Sequence, residues 1–234
     1  PLTVPFRFSL NDKSGNPIPI VINEEVMKSE PLVILNKEKT ILSIRPVDKT
    51  KIDDLLSATP AYLKGFSAPI RLTDDRTIEE HVNLISFDSD PYVVWDSAQI
   101  LYNHVISQEF AKKTNLELES QLTGALLKSI DSKKFNDSFK ALLLIPPSQS
   151  VLMTEVENPD PPNVFLAKQN VLKRMSNSIT KFLEGRLDVT KSNLDSLDVS
   201  GRSLHNQLLA WGVLAGIELA QTLALKQVSS SNTT

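Results

Sequence analysis

The chain has 234 residues, of which 41% are hydrophobic and 23% charged, and its formal net charge is -3. This composition is typical of a globular protein and excludes a disordered or fibrous chain. The small negative charge gives no general reason to expect nucleic acid or an anionic membrane as a partner. There are no cysteines, so disulfides, thiolate zinc sites and cysteine nucleophiles are excluded.

The first residues indicate a segment of a longer protein. Residues 1–5 have neither the basic segment nor the apolar core of a secretory signal. The chain opens with Pro1 in place of an initiator methionine, so we expect an internal segment or a processed product. We predict a cytoplasmic location, with which the absence of cysteine is compatible.

Residues 1–72 are predicted to form short strands. Apolar side chains alternate along residues 3–10 with the period of a strand that buries one face, at Val4, Phe6, Phe8 and Leu10. Residues 18–22 alternate similarly, and their prolines predict an edge strand. Further β-rich runs at 31–35, 40–44 and 62–72 complete a set of five or six strands. This set predicts a small antiparallel β-sandwich (Ig-like) over residues 1–72.

After residue 72, apolar residues recur at helical spacing. Residues 73–75, with Glu79 after them, resemble the capped start of a helix. The apolar stripes predict successive helices around residues 95–106, 116–130, 135–143 and 164–183. Pro146 and Pro147 end the third of these, and Pro161 or Pro162 begins the fourth.

A final helix is predicted from about Arg202 to Val228. Residues 208–217 are apolar without a break, but Glu218 would lie near the middle of a membrane span, so we predict a helix buried on most sides. We expect further helices of a parent protein to cover it. Residues 73–234 are therefore predicted to be a helical domain, the N-terminal part of an α-superhelix.

No catalytic, cofactor-binding or metal-binding residue is predicted in this chain. No two of the histidines, His81, His104 and His205, lie three to five residues apart, and no H-E-x-x-H motif occurs. His81 follows two glutamates and is interpreted as a solvated helix residue, and the other two are assigned structural roles. No glycine-rich phosphate loop is present, and nothing marks a serine as a nucleophile.

The remaining polar and aromatic candidates are interpreted as structural. Acidic residues near the start of a helix commonly cap it, which accounts for Glu155 and Glu157. The two tryptophans fall on apolar helix faces and are assigned to the core. Two isolated basic pairs occur, at residues 112–113 and 173–174. We place them on polar helix faces, and they do not predict a nucleic-acid-binding groove.

Four collinear stretches resemble one known family. Residues 66–69 read F-S-A-P, and residues 95–99 read W-D-S-A-Q. Two further stretches, residues 4–18 and residues 203–209, also resemble this family, and all four occur in the family's order. His205 stands where the family usually has arginine. Together these stretches resemble the M1 family of zinc aminopeptidases, of the bacterial aminopeptidase N type.

The resemblance implies a function for the parent protein. The chain would be a non-catalytic C-terminal portion of an enzyme that removes N-terminal residues from peptides, and it would space and wall the active-site chamber. The resemblance places the zinc in the parent, so no cofactor is expected in this chain. The expected partners are the missing catalytic domain, the downstream helices and short peptide substrates, with no nucleic acid and no membrane. Within this scheme Gly65 and Pro69 would fix the exit strand of the sandwich, and Trp95 would anchor the helical core.

The sequence leaves two alternatives open. A non-enzymatic scaffold or adaptor could share the sandwich-plus-helices architecture, and the presence or absence of H-E-x-x-H upstream would distinguish it from an aminopeptidase. We expect an enzyme in the parent and no activity in this chain alone. A free-standing ligand-binding module is disfavoured by the uncovered final helix.

Overall fold

The computed structural model describes residues 3–27, 29–191 and 198–230. Contacts between residues separate the chain into two units, Pro1–Ala98 and Gln99–Thr234. The first unit thus extends beyond residue 72, and the division into residues 1–72 and 73–234 stays a prediction.

The first unit contains two small antiparallel sheets. In the first sheet β1 (Val4–Asn11) lies between β4 (Leu32–Leu35) and β6 (Thr59–Tyr62). In the second, β2 (Ile20–Ile22) lies between β3 (Glu25–Val26) and β5 (Ile44–Pro46). The core of the unit combines both sheets and includes Phe8, Ile18, Ile20 and Ile22. The predicted small antiparallel β part is thereby confirmed.

Two strand predictions were wrong in detail. The segment around Ile20 is a central strand and not an edge strand, since Pro17 and Pro19 precede β2 and leave the backbone donors of Ile20–Ile22 intact. The strand predicted at 40–44 begins only at Ile44, where β5 starts.

The predicted strand at residues 62–72 is also wrong. The observed strand, β6, ends at Tyr62, and a 3-10 turn over Lys64–Phe66 follows. Leu63, Gly65 and Phe66 have φ of 56°, 63° and 52°, and this left-handed backbone cannot continue an extended strand. Gly65 and Pro69 consequently do not lie in an exit strand.

Two helices of the first unit begin from local sequence signals. A short helix α1 (Ile52–Leu56) follows a 3-10 turn that the Asp48 side chain caps. Helix α2 (Ile78–Phe87) begins at Thr77, which forms a capping box with Glu80. The helix start predicted at residues 73–75 is therefore displaced to Thr77, and Asp74 instead accepts hydrogen bonds from Arg76.

Helices make up the second unit. The long helix α3 (Pro91–Phe110), which begins in the first unit, is followed by α4 (Leu116–Asp131), α5 (Asp137–Leu143), α6 (Gln149–Glu155), α7 (Pro161–Ser178), α8 (Thr180–Lys191), α9 (Val199–Leu214) and α10 (Glu218–Ser230). Side chains at four N-caps accept backbone N–H groups, at Asn115, Asn136, Ser148 and Asp198. Pro161 occupies the first turn of α7, as the sequence predicts.

Two predicted helices are each divided. The helix expected from 164 to 183 is interrupted at Ile179, whose φ and ψ are -118° and 21°. The helix expected from 202 to 228 is interrupted at Gly216, whose φ is +72°. There the N–H of Ile217 donates to the carbonyl of Gly212, a C-terminal closure that a left-handed glycine permits.

Helix α9 lies at the centre of the second unit. It contacts α5, α7, α8 and α10, and its buried side chains include Leu204, Leu208, Leu209 and Trp211. Helix α10 differs, since Leu225 and Val228 are largely exposed, so the prediction of a helix buried on most sides is wrong for α10. Within the described ranges, each helix is too short or too polar to cross a membrane.

Candidate functional site

An ion-pair cluster around a buried lysine lies at one end of β1. The Lys64 side chain is 2% exposed, and its Nζ lies 2.8 Å from Glu30 Oε1 and 3.4 Å from Asp88 Oδ1. Asn11 Nδ2 donates to Asp88 Oδ2 at 2.6 Å, and Ser9 Oγ donates to Asn11 Oδ1 at 2.7 Å. We name these five residues the Lys64 cluster.

The Lys64 cluster positions the start of α3. Asp88 Oδ1 accepts the backbone N–H of Asp90, and Asp90 Oδ2 accepts the N–H of Gly65, both at 2.7 Å. Asp90 Oδ1 accepts the N–H groups of Tyr92 and Val93 at the first turn of α3. Because these polar atoms are bonded to one another, the arrangement fixes a turn and a helix start and supplies no exposed nucleophile.

A second cluster surrounds Arg76 in the same unit. Its guanidinium donates to both carboxylate oxygens of Asp74, at 2.9 and 2.8 Å, and its Cζ lies 5.0 Å from the centre of the Tyr62 ring. Burial raises the pKa of Asp74, but the hydrogen bonds from Arg76 outweigh it and leave that pKa below its usual value. Burial raises the pKa of Asp96, whose Oδ2 lies 4.0 Å from Arg76 Nη2.

His81 belongs to the interior of this unit. Its Nδ1 lies 3.3 Å from Ser97 Oγ, and the residue is 5% exposed, so the prediction of a solvated helix residue was wrong. It occupies the buried face of α2, where Leu84 and Ile85 are also buried, whereas Glu79 before it is exposed. Burial, with a contribution from the charge of Arg76, lowers the pKa of His81 to about 4.

A charged cluster joins three helices in the second unit. Arg174 of α7 donates to both carboxylate oxygens of Glu109 in α3, at 3.3 and 2.8 Å, and of Glu119 in α4, at 3.0 and 2.7 Å. The prediction of an isolated basic pair on a polar face is therefore wrong for Arg174. Burial raises the pKa of Glu109, but hydrogen bonds from Arg174, Thr114 and Asn170, together with the charge of Arg174, hold that pKa below its usual value.

The remaining sequence candidates occupy structural positions. His104 is exposed and lies 3.0 Å from Gln108 Nε2. His205 is buried in α9, and burial lowers its pKa. Trp211 is buried and donates through Nε1 to the carbonyl of Leu144 at 3.0 Å, as expected of a core tryptophan. Trp95 is only half-buried, so it is not the core anchor that the sequence suggested.

The described residues bring together no group of three or more histidine, aspartate or glutamate side chains that could hold a metal ion. The acidic pair before α7 is not its cap either. Glu155 ends α6, and the N-cap position of α7 is occupied by Asp160. The clusters around Lys64, Arg76 and Arg174 were missed in the sequence, because their members are separated by up to 77 positions.

The sequence matches one described family. Residues 78–234 match the domain of unknown function DUF3458_C, described as ARM repeats. This match covers the segment from the first residue of α2 onward and agrees with the succession of helices in the second unit.

Curated relatives are aminopeptidases. The chain is 22% identical to aminopeptidase N of Haemophilus influenzae and to aminopeptidase N of Escherichia coli, each over 99% of this chain and 26% of the relative. It is 26% identical to aminopeptidase N of Caulobacter vibrioides over 62% of this chain and 17% of the relative. The chain thus spans about a quarter of the length of the first two.

A solved structure has a similar fold. It is the Legionella pneumophila aminopeptidase A in complex with aspartic acid, with a TM-score of 0.74 and 19% sequence identity. The likeness covers 97% of this chain and 26% of the Legionella protein. It therefore extends over the sheets as well as the helices.

Proposed function

Since this chain belongs to the DUF3458_C family of ARM-repeat domains, we propose that it is the non-catalytic C-terminal portion of an M1-type zinc aminopeptidase. The observation that carries the proposal is the alignment with aminopeptidase N of two organisms over 99% of the chain. The fold likeness to a third aminopeptidase over nearly the same span supports it. In this proposal the parent protein removes N-terminal residues from peptides.

The proposed role of the chain is architectural. The sheets would form an Ig-like sandwich that sets the spacing of the catalytic domain, and the helices would be the first part of a superhelix that walls the active-site chamber. The fully bonded polar clusters around Lys64 and Arg174 support this role, because they stiffen junctions between elements and leave no reactive group exposed.

The proposed zinc and the proposed cellular compartment rest on the family resemblance alone. The described residues offer no set of ligands with the three side chains that a catalytic zinc requires, so the zinc of the proposed enzyme would be bound by another part of the parent. The missing catalytic domain, downstream helices and short peptides are the proposed partners. A cytoplasmic location is part of the same proposal.

The proposal is tested on the native protein. Its intact mass and N-terminus are determined, and hydrolysis of aminoacyl arylamides is measured with and without a zinc chelator. The matched control is the 234-residue chain alone at equal concentration. We expect a native protein several times longer, with chelator-sensitive activity that the control lacks.

The alternative is a scaffold of the same architecture without a zinc site. Chelator-insensitive or undetectable hydrolysis by the intact native protein, together with an upstream sequence that lacks H-E-x-x-H, would replace the aminopeptidase proposal with this scaffold. Activity in the 234-residue chain itself would contradict the non-catalytic role assigned to it.

A further inference from the structure

Three aromatic rings form a row on the surface of the first unit. The ring centres of Phe66 and Tyr92 lie 5.0 Å apart, and those of Tyr92 and Trp95 lie 6.2 Å apart. Phe66 is 55% exposed, and the other two are half-buried. We name these three residues the aromatic row. Its members come from two elements, the 3-10 turn after β6 and the first turns of α3.

The backbone around Phe66 is strained and tightly held. Leu63 and Phe66 adopt left-handed φ values, which are unfavourable for bulky residues. The buried Lys64 anchors the turn, and Asp90 accepts the N–H of Gly65. Such strain persists only where the surroundings over-determine the conformation, and it is concentrated at functional positions. Here it holds a large apolar ring in solvent.

A carboxylate lies at one edge of the aromatic row. Asp96 follows Tyr92 by four residues on α3, and Trp95 follows it by three, so all three share one helix face. The Asp96 side chain is 34% exposed. Burial raises the pKa of Tyr92, and the negative charge of Asp96 raises it further.

The adjacent cation does not satisfy Asp96. Arg76 Nη2 is 4.0 Å away, and the Arg76 side chain is 3% exposed and already contacts Asp74 and Tyr62. Asp96 therefore retains a partly desolvated, solvent-accessible carboxylate beside the rings.

We propose that the aromatic row and Asp96 bind an arginine side chain of a peptide segment from outside this chain. A guanidinium is planar, stacks on aromatic faces and donates in a fork that matches a carboxylate. It is also less strongly hydrated than the ammonium of lysine, so it loses less on leaving water. The negative charge at the edge of the row selects a cationic occupant over an apolar one.

The indole N–H resonances of the two tryptophans provide the measurement. Trp95 belongs to the row, whereas Trp211 is buried and bonded to Leu144, so Trp211 is an internal reference. The 234-residue chain is titrated with acetyl-Gly-Arg-Gly-amide and with the same peptide carrying neutral, nearly isosteric citrulline. We expect a saturable shift of the Trp95 resonance and none of the Trp211 resonance. The arginine peptide should bind at least about two- to five-fold more tightly than the citrulline peptide.

Three variants localise the site. Phe66→Leu keeps an apolar side chain and removes the ring, and Asp96→Asn removes the charge. Each is expected to weaken binding of the arginine peptide about two- to five-fold. The matched control is Phe165→Leu in α7, a phenylalanine that is 52% exposed and outside the row, which is expected to bind as the parent chain does.

Several outcomes overturn the proposal. Equal affinity for the arginine and citrulline peptides would identify an apolar docking surface instead, and tighter binding of the corresponding lysine peptide would exclude guanidinium stacking. The absence of a saturable Trp95 shift with a folded chain, or an equal loss in the Phe165 control, would remove the site. Preserved Trp211 resonances show that the second unit keeps its fold in each variant, and preserved backbone amide resonances of β1 show the same for the first unit.

Discussion

At the scale of single residues, the buried imidazole of His81 makes stability depend on pH. Burial lowers its pKa from 6.5 to about 4, so the folded chain holds the ring neutral where the unfolded chain is already protonated. Because the unfolded state binds the extra proton, stability is complete above the unfolded pKa and decreases as pH falls towards 4. The affected window lies between these two values.

We predict that His81→Gln flattens this pH dependence. On going from neutral pH to about pH 5, His81 should remove about 2 kcal/mol from the free energy of unfolding, a loss that the variant lacks. Urea unfolding at the two pH values measures it, and His104→Gln, at an exposed position, is the control. A variant that retains the whole decrease would contradict the assignment to His81.

The ammonium of Lys64 is predicted to be essential for stability. Lys64→Met keeps the aliphatic stem but leaves Asp88, whose side chain is 0% exposed, without its cation, and should cost about 3 kcal/mol or more. The control Lys51→Met breaks a pair with Asp54 in which both side chains are 51% exposed, and should cost less than about 1 kcal/mol. Urea unfolding compares the two variants. Adding Asp88→Asn to Lys64→Met should recover part of the loss, and equal small losses in both single variants would refute this account.

At the scale of elements, two glycines determine how α9 meets α10. Gly216 provides the left-handed turn between them, and Gly212 lets the helices approach closely. A Cβ built at Gly212 would lie 2.7 Å from Ala220 Cβ and 3.1 Å from Leu187 Cδ1. The apolar residues 208–217 therefore do not form one continuous helix with residues 218–228. They include the end of α9, which packs against α10.

Gly212→Ala is predicted to destabilise the second unit through overpacking, by about 1–3 kcal/mol. Gly124→Ala is the control, because it is also a helical glycine and a Cβ there meets nothing within 4 Å. That variant should gain about 0.5–1 kcal/mol from the lower entropy of its unfolded state. Thermal unfolding of the two variants compares them, and stabilisation by both would show that the α9–α10 contact tolerates a methyl group.

At the scale of the whole molecule, the predicted domain border and the packing differ. The predicted helical domain begins at residue 73 and the family match at residue 78, but α2 and the start of α3 belong to the unit that ends at Ala98. Asp88 draws its partners Lys64 and Asn11 from the preceding segment. A border at 72 would leave this buried carboxylate without them.

We therefore predict that residues 73–234 expressed alone keep their later helices but lose order in α2. Backbone amides of residues 78–87 should exchange with solvent much faster than in the 234-residue chain, since local opening follows the loss of buried contacts. Amides of α9, which packs against α5, α7, α8 and α10, serve as the internal control and should stay protected. Equal protection of α2 in both proteins would support the predicted domain border.

Local patterns in the sequence determined the class of each region. Period-two alternation identified β1, helical spacing identified most of the helices, and the proline at residue 161 located the start of α7, because each signal acts within a few neighbouring residues. The F-S-A-P and W-D-S-A-Q stretches indicated the aminopeptidase resemblance, which the aminopeptidase N relatives support.

Only the tertiary structure decided which polar side chains are buried and paired. Asn11 and Asp88 are 77 positions apart, and Glu109 and Arg174 are 65 apart, so no local pattern links them. Likewise, the left-handed backbone at Leu63 and Phe66 is imposed by contacts of the turn with distant residues and not by their own preferences. Burial and long-range pairing depend on the whole packed chain, and the sequence encodes them only collectively.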